Sequence, residues 1–124
     1  MQGMVLGLAL ASIALGAVAQ VLLKIGMTAT AMRAAIDAGA PWGILHAVVL
    51  SPGVIGGLAL YGLGTVLWLA VLTRAELSQA YPFVGLSFVL TAAMGYFLFA
   101  DVMSLSRIAG IALIVAGVVL VGRS

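Results

Sequence analysis

Residues 4–27 read MVLGLALASIALGAVAQVLLKIGM, an apolar stretch in which Ser12, Gln20 and Lys24 are the only polar side chains. About 20 apolar residues in a helix cross the hydrocarbon core of a bilayer. We therefore predict a first transmembrane helix over this stretch. A cleaved signal peptide is the competing interpretation, because residues 17–19, Ala-Val-Ala, look like a cleavage site, but no Lys or Arg precedes the apolar stretch.

The rest of the chain contains three more apolar stretches. We predict transmembrane helices over about residues 52–73, 78–100 and 105–121. Residues 28–51 are more polar and are predicted to be a connector that can include an interfacial helix, with Trp42 at the level of the lipid head groups. The predicted fold class is an all-α integral membrane protein, a single domain over residues 1–124 with four transmembrane helices, both termini on one side and a tendency to form dimers.

The amino-acid composition supports this fold class. The chain has 124 residues, of which 65% are hydrophobic and 6% are charged, whereas a soluble domain carries about 25% charged residues. Its mean hydropathy is +1.36. Too few polar residues remain to cover a water-soluble globule, so lipid must cover much of the surface. The net charge of +2 is too small for a nucleic-acid-binding face.

Residues that carry out chemistry are few. The sequence has no cysteine, which excludes disulfides, thiolate metal ligands and cysteine nucleophiles. His46 has no Asp, Glu or Cys at ligand spacing, so no metal site is predicted. The sequence shows no Ser-His-Asp set, phosphate-binding loop or pair of carboxylates. We therefore expect a protein that is not an enzyme and that uses no cofactor.

The polar residues of the first predicted helix share one face. Ser12, Gly16, Gln20 and Lys24 recur every four residues, a spacing that aligns them along a helix. Because an unsatisfied amide or ammonium group is unfavourable in hydrocarbon, this polar face is predicted to line a protein interface or a wet cavity. A fixed cation on a face without an acid favours an anionic ligand such as a lipid phosphate. The alternative is that Lys24 reaches the head groups from the helix end and Gln20 makes one interhelical hydrogen bond.

A second face lies on the predicted helix over residues 52–73. Tyr61, Thr65, Trp68 and Leu72 fall at i, i+4, i+7 and i+11, so they share one side of a helix. Such a face can stack on a substrate, but aromatic residues at helical spacing more often pack between helices. The packing interpretation is favoured from spacing alone.

Three features concern the last two predicted helices. Gly110 and Gly117 are a heptad apart, a pattern that favours close helix pairing and predicts a dimer interface. Asp101 precedes the last helix, where a carboxylate complements the helix dipole or caps the first turn. Pro82 lies in the first turn of the preceding helix, where its missing N–H is tolerated.

Short motifs in all four predicted helices carry a family resemblance. They are Ala19-Gln20-Val21-Leu22-Leu23-Lys24, Leu67-Trp68-Leu69-Ala70, Leu77-Ser78-Gln79-Ala80-Tyr81-Pro82-Phe83 and Gly110-Ile111-Ala112-Leu113-Ile114-Val115-Ala116-Gly117-Val118. In this order they resemble the small multidrug resistance branch of the drug/metabolite transporter superfamily over nearly the whole chain. Within that branch they are most similar to the small subunits of aminoarabinose-phosphoundecaprenol flippases. The resemblance implies a protein of the bacterial inner membrane that moves a polyprenyl-phosphate-linked sugar by alternating access of a dimer.

One position departs from the drug exporters of this superfamily. Those proteins carry an essential glutamate eight residues before a lysine that we match to Lys24, and this chain has Gly16 there. Proton-coupled export of cations needs a titratable carboxylate within the membrane. The flippase-like relatives also lack the glutamate, so this departure favours them over the drug exporters.

The function predicted from the sequence is that of a transporter subunit that binds or flips a polyprenyl-phosphate lipid of the undecaprenyl-phosphate type, or its sugar conjugate. We expect it to work as a homodimer or as a heterodimer with a related small four-helix protein. One alternative is a proton-coupled exporter of small cations or drugs, which would need Glu76 or Asp101 to reach the cavity. Another is a membrane subunit that stabilises a partner without transporting anything. The residues expected to contact the lipid substrate are Gln20, Lys24, Trp68, Ser78 and Tyr81.

Overall fold

The structure is helical throughout. The computed structural model describes residues 3–124, and within them no β-strand is present. The helices are α1 (Gly3–Met27), α2 (Thr30–Ala38), α3 (Pro41–Leu50), α4 (Pro52–Leu72), α5 (Leu77–Ala80), a 3₁₀ helix (Tyr81–Val84), α6 (Gly85–Phe99) and α7 (Leu105–Arg123). Four spans of the described chain are long and apolar enough to cross a membrane, namely α1, α4, the stretch from α5 to α6, and α7. The predicted all-α membrane protein with four transmembrane helices is thereby confirmed.

The connector between the first two spans is helical for most of its length. Gly39 separates α2 from α3 with a φ of 74°, a left-handed conformation that glycine adopts easily and that ends α2. Pro41 then occupies the first turn of α3, where a missing N–H is tolerated. The side chain of Trp42 is 81% exposed, which suits an indole at the membrane surface. Two short helices therefore stand where the sequence predicts a connector with one interfacial helix.

The most extensive helix contact joins α1 and α4, and glycines make it possible. Gly26 of α1 lies directly against Gly53 and Val54 of α4. Further along the pair, the Ser12 hydroxyl donates a hydrogen bond to the Gly64 carbonyl oxygen at 2.6 Å. Small residues at this interface let the two backbones approach closely and allow an interhelical hydrogen bond within the membrane.

Replacing Gly26 with alanine should weaken this helix pair. A Cβ atom at that position would lie 2.7 Å from the backbone nitrogen of Val54, and a backbone atom cannot rotate away as the end of a side chain can. Overpacking of this kind costs about 1–3 kcal/mol. We expect Gly26→Ala to lower the free energy of unfolding by that amount, measured by sodium dodecyl sulfate titration in mild detergent.

The matched control for this change is Gly7→Ala on the same helix. A Cβ atom at Gly7 would meet nothing within 4 Å, so alanine there should be neutral or slightly stabilising. Equal losses of stability in the two variants would contradict the close contact between α1 and α4.

The third span is not a uniform helix. It begins as α5, tightens into the 3₁₀ helix and continues as α6. Pro82 lies at this tightening, and its ring and missing N–H disfavour regular α-helical hydrogen bonding. Phe83, in the same turn, is buried against Ile13 of α1 and Val118 of α7. This cluster attaches α7, the least buried of the four spans, to the rest of the bundle.

The turn between α6 and α7 corrects one prediction. The cap of α7 is Ser104, whose hydroxyl accepts a hydrogen bond from the Arg107 N–H at 3.1 Å. Ala100 is left-handed with a φ of 55°, and the Asp101 N–H donates to the Gly95 carbonyl at 3.0 Å. The expectation that Asp101 caps α7 is wrong, because this closing turn holds Asp101 at the end of α6 instead.

Candidate functional site

A cavity of about 350 Å³ lies between α1, α4, the 3₁₀ helix and α6. The polar face predicted on the first helix borders it through Ser12, Gly16 and Gln20. Trp68 and Tyr81, two further residues expected to contact the lipid substrate, also lie in its wall. The complete lining is Ser12, Ile13, Gly16, Gln20, Tyr61, Gly64, Thr65, Trp68, Tyr81, Val84, Ser87 and Phe88.

Aromatic side chains form one wall of this cavity. The rings of Trp68 and Tyr81 are 6.4 Å apart and inclined by 68°, an edge-to-face contact between α4 and the 3₁₀ helix. Trp68 also packs against a buried cluster that contains Val5. Tyr61 and Thr65 border the cavity beside it. Spacing alone favours packing for the face that contains Tyr61, Thr65 and Trp68, and in the structure these three residues border the cavity. Trp68 does both, because it packs against the buried cluster and also lines the cavity.

Hydroxyl groups supply much of the polar surface of the cavity. Thr65 donates to the Tyr61 carbonyl at 2.9 Å, and Ser87 donates to the Val84 carbonyl at 2.6 Å. A hydroxyl has one proton and two lone pairs, so these oxygens remain as acceptors toward the cavity. The Gln20 amide adds a group that can both donate and accept. This combination suits a ligand that carries hydroxyl donors, such as a sugar.

A smaller pocket of about 170 Å³ adjoins the cavity, and Gln20 lines both. Lys24 and Asp101 contribute charges to the smaller pocket, whereas the lining of the larger cavity contains no charged residue within the described chain. Lys24 is in the last turn of α1 and Asp101 directly follows the end of α6, so the pocket lies at one end of the bundle. The rest of its lining is Val21, Thr91, Gly95 and Phe99.

The other predicted residues lie away from these two pockets. Ser78 is exposed at the start of the third span and belongs to neither lining. Gly110 and Gly117 lie on α7, where added Cβ atoms would meet nothing within 4 Å. Residues 3–124 contain no group of three His, Cys, Asp or Glu side chains that could hold a metal ion.

Apart from Tyr81, the contribution of the third span to the two pockets was not predicted from the sequence. Besides Tyr81, six residues of this span line the two pockets, and their spacing of three, four, seven, eleven and fifteen positions from the first places them on one helix face. Two hydroxyl residues four positions apart in an otherwise apolar span are the signal that could have revealed this face. The six residues are Val84, Ser87, Phe88, Thr91, Gly95 and Phe99.

Four apolar spans, three of which surround a cavity with polar and aromatic walls, define a small multi-pass membrane protein. The chain is 48% identical to the probable 4-amino-4-deoxy-L-arabinose-phosphoundecaprenol flippase subunit ArnE of Pseudomonas aeruginosa UCBPP-PA14, over 51% of this chain and 55% of that protein. It is 40% identical to the protein of the same name from Pseudomonas savastanoi pv. phaseolicola 1448A, over 58% of this chain and 71% of that protein. The chain belongs to the family of these flippase subunits.

The similarity to these relatives is partial in length. The chain spans about half the length of the Pseudomonas aeruginosa relative that it matches. A protein of the same name from Hamiltonella defensa is 37% identical over 48% of this chain and 54% of that protein. No family model and no solved structure matches the chain. The resemblance inferred from the motifs, to small flippase subunits, is confirmed by these relatives.

Proposed function

We propose that this protein is a subunit of a lipid flippase of the bacterial inner membrane, and that it binds a polyprenyl-phosphate-linked sugar. The observation that carries the proposal is that the two pockets lie side by side and share Gln20 in their linings. An uncharged cavity with aromatic and hydroxyl walls thus adjoins a pocket that is lined by a lysine. Sugar and phosphate, the two parts of such a head group, need these two environments side by side.

Each part of the lipid has a matching partner in the site. Aromatic rings such as those of Trp68 and Tyr81 can pack on a sugar, and Gln20 can hydrogen-bond its hydroxyl groups. The Lys24 ammonium is a point-charge partner for a phosphate. Gln20 and Lys24 are four residues apart, which corresponds to about 6 Å along a helix, so the two side chains can contact neighbouring groups of one head group.

The long apolar tail needs no polar route. Phe88, which lines the larger cavity, is 58% exposed, and Tyr61 is 51% exposed. The cavity is therefore open at its apolar rim, where a polyprenyl chain can remain in the surrounding lipid. Only the head group has to enter the polar part of the bundle. Ser78 lies outside both linings and has no part in the proposed site.

We also propose that the working unit is a dimer, either of this chain or with a related small four-helix protein. A cavity of about 350 Å³ beside one small bundle does not form a path across a membrane. A second subunit would supply the opposite wall and allow the pair to alternate between two open sides. Gly110 and Gly117, which have open space at their Cβ positions on α7, are proposed as the contact between subunits.

The proposal is tested by lipid binding, measured by native mass spectrometry of protein extracted gently from bacterial membranes. The wild-type protein should retain polyprenyl phosphate in preference to phosphatidylglycerol. Lys24→Ala should weaken that binding about tenfold, because a hydrogen-bonded charge pair is lost. Arg33→Ala is the matched control, since Arg33 is an exposed cation on α2 and belongs to neither lining.

Two outcomes would count against the flippase proposal. If Lys24→Ala and Arg33→Ala both bind polyprenyl phosphate as the wild type does, Lys24 only reaches the lipid head groups. If the wild type retains no polyprenyl lipid but co-purifies with a lipid-sugar transferase, the chain is better described as a subunit that stabilises a partner.

One observation favours a second candidate function, a proton-coupled exporter of small cations. Asp101 lines the pocket beside the cavity, which is the condition that such an exporter requires, whereas Glu76 is in neither lining. The Lys24 ammonium in the same pocket repels a cationic ligand, so the flippase remains the favoured proposal. Uptake of a quaternary amine into vesicles under an imposed proton gradient would reverse this preference.

A further inference from the structure

We infer that the smaller pocket distinguishes head groups by charge, with Lys24 binding the phosphate and Asp101 binding a positively charged amino group on the sugar. The inference rests on the proposed function and adds a specificity-determining residue to it. It concerns Asp101, which the sequence analysis assigned only to a helix cap or to an alternative exporter.

The position of Asp101 is fixed by the backbone of α6. Its N–H is hydrogen-bonded to the Gly95 carbonyl at 3.0 Å, after the left-handed Ala100. The Asp101 carboxylate lies over Gly95, where any Cβ atom would collide with the Oδ2 atom. Glycine at position 95 is therefore what leaves room for the carboxylate to lie against the helix and border the pocket.

Neighbouring groups cap α7 and close the turn before it, which are the structural roles that a carboxylate at position 101 could otherwise have. Ser104 caps α7 by accepting from the Arg107 N–H at 3.1 Å. The Arg107 guanidinium donates to the Val102 carbonyl at 2.7 Å. The turn is thus closed by other side chains, and the Asp101 carboxylate is left to the pocket.

The pairing of charges in this pocket has a direct chemical consequence. One ammonium and one carboxylate line a space of about 170 Å³ that adjoins the larger cavity and shares Gln20 with it. A phosphate bound by Lys24 alone would experience repulsion from Asp101. A ligand that carries a phosphate and, close to it, an ammonium group would satisfy both residues. An amino sugar linked to a lipid through phosphate has this arrangement of charges, whereas a neutral sugar phosphate does not.

The test compares three probe lipids in nanodiscs: polyprenyl phosphate, a polyprenyl phosphate-linked neutral pentose, and the same conjugate with an amino group on the pentose. Wild-type protein should bind the amino conjugate about tenfold more tightly than the neutral conjugate. Asp101→Asn should remove that preference and should still bind the neutral conjugate. Lys24→Gln should weaken binding of all three lipids. Asp37→Asn, an exposed acid on α2 outside both linings, is the control that should behave as the wild type.

A second variant separates loss of the binding preference from loss of the folded structure. Gly95→Ala retains the carboxylate but displaces it from its place over α6, and it should also reduce the preference for the amino conjugate. Preference retained in both Asp101→Asn and Gly95→Ala would overturn the inference, and a lower melting temperature of Asp101→Asn with unchanged preference would assign Asp101 a structural role.

The failure of this inference can be told apart from failure of the proposed function. Equal wild-type affinity for the amino and neutral conjugates, with both bound more tightly than phosphatidylglycerol, would reject the role of Asp101 and retain the flippase. No binding of any of the three probe lipids by the wild type would reject both.

Discussion

Gly16→Phe is expected to weaken binding of the polyprenyl lipid strongly while leaving the fold intact. Gly16 lines the larger cavity, and a Cβ atom there would meet nothing within 4 Å. The helix can therefore accept a larger residue, but its ring must occupy the space proposed for the sugar. Overlap of a ligand with a filled, close-packed site costs about 3 kcal/mol or more, so we expect a loss of affinity on the order of 100-fold.

The control for steric blocking is Gly7→Phe on the same helix. Nine residues separate the two glycines, which is about two and a half helical turns, so Gly7 lies on the opposite side of α1. It is exposed, and a Cβ atom there also meets nothing within 4 Å. Isothermal titration with polyprenyl phosphate-linked sugar should show wild-type affinity for Gly7→Phe. Full affinity in Gly16→Phe would place the lipid outside this cavity.

The polar face of the first span was predictable because it depends on one helix only. A spacing of four residues fixes which side chains share a face, whatever the helix packs against. The cost of an unsatisfied amide in hydrocarbon then requires a cavity or an interface on that side. The structure shows both, since Ser12 bonds to Gly64 of the neighbouring helix and Gln20 borders the two pockets.

The position of Asp101 beside the smaller pocket was not predictable from the same kind of pattern. In sequence it stands between two helices, and the helix dipoles favour a carboxylate at the start of α7 and disfavour one at the end of α6. Which end takes it depends on the left-handed Ala100 and on the hydrogen bond to Gly95. Alanine disfavours the left-handed conformation, so nothing local in the sequence indicates it.

For the helix face that contains Tyr61 and Trp68, packing was predicted but the cavity in front of it was not, for a different reason. Helical spacing shows that these rings lie together, but it does not show whether a neighbouring helix fills the space in front of them. The third span tightens at Pro82 and brings Tyr81 to within 6.4 Å of Trp68, while α6 lines the other side of a cavity of about 350 Å³. The open space arises from three elements together, and no single segment encodes it.

Replacing both Gly110 and Gly117 with leucine is expected to convert the proposed dimer into a monomer. Seven residues are about two turns, so both glycines lie on one face of α7. Added Cβ atoms at both positions meet nothing within 4 Å of the same subunit, and the isolated subunit can accept the leucines. Close approach of a second helix would be lost, because small residues are what allow two backbones to pack tightly in a membrane.

The measurement for this variant is the subunit mass in native mass spectrometry over a dilution series in mild detergent. Gly62→Leu is the matched control, since Gly62 is an exposed glycine on α4 with nothing within 4 Å of its Cβ position. The double variant should dissociate at a concentration at least about tenfold higher than the wild type or Gly62→Leu. If the double variant remains dimeric, subunits meet through another face. A monomer that keeps Lys24-dependent lipid binding would show that one subunit holds the head group and that the dimer is needed only to move it.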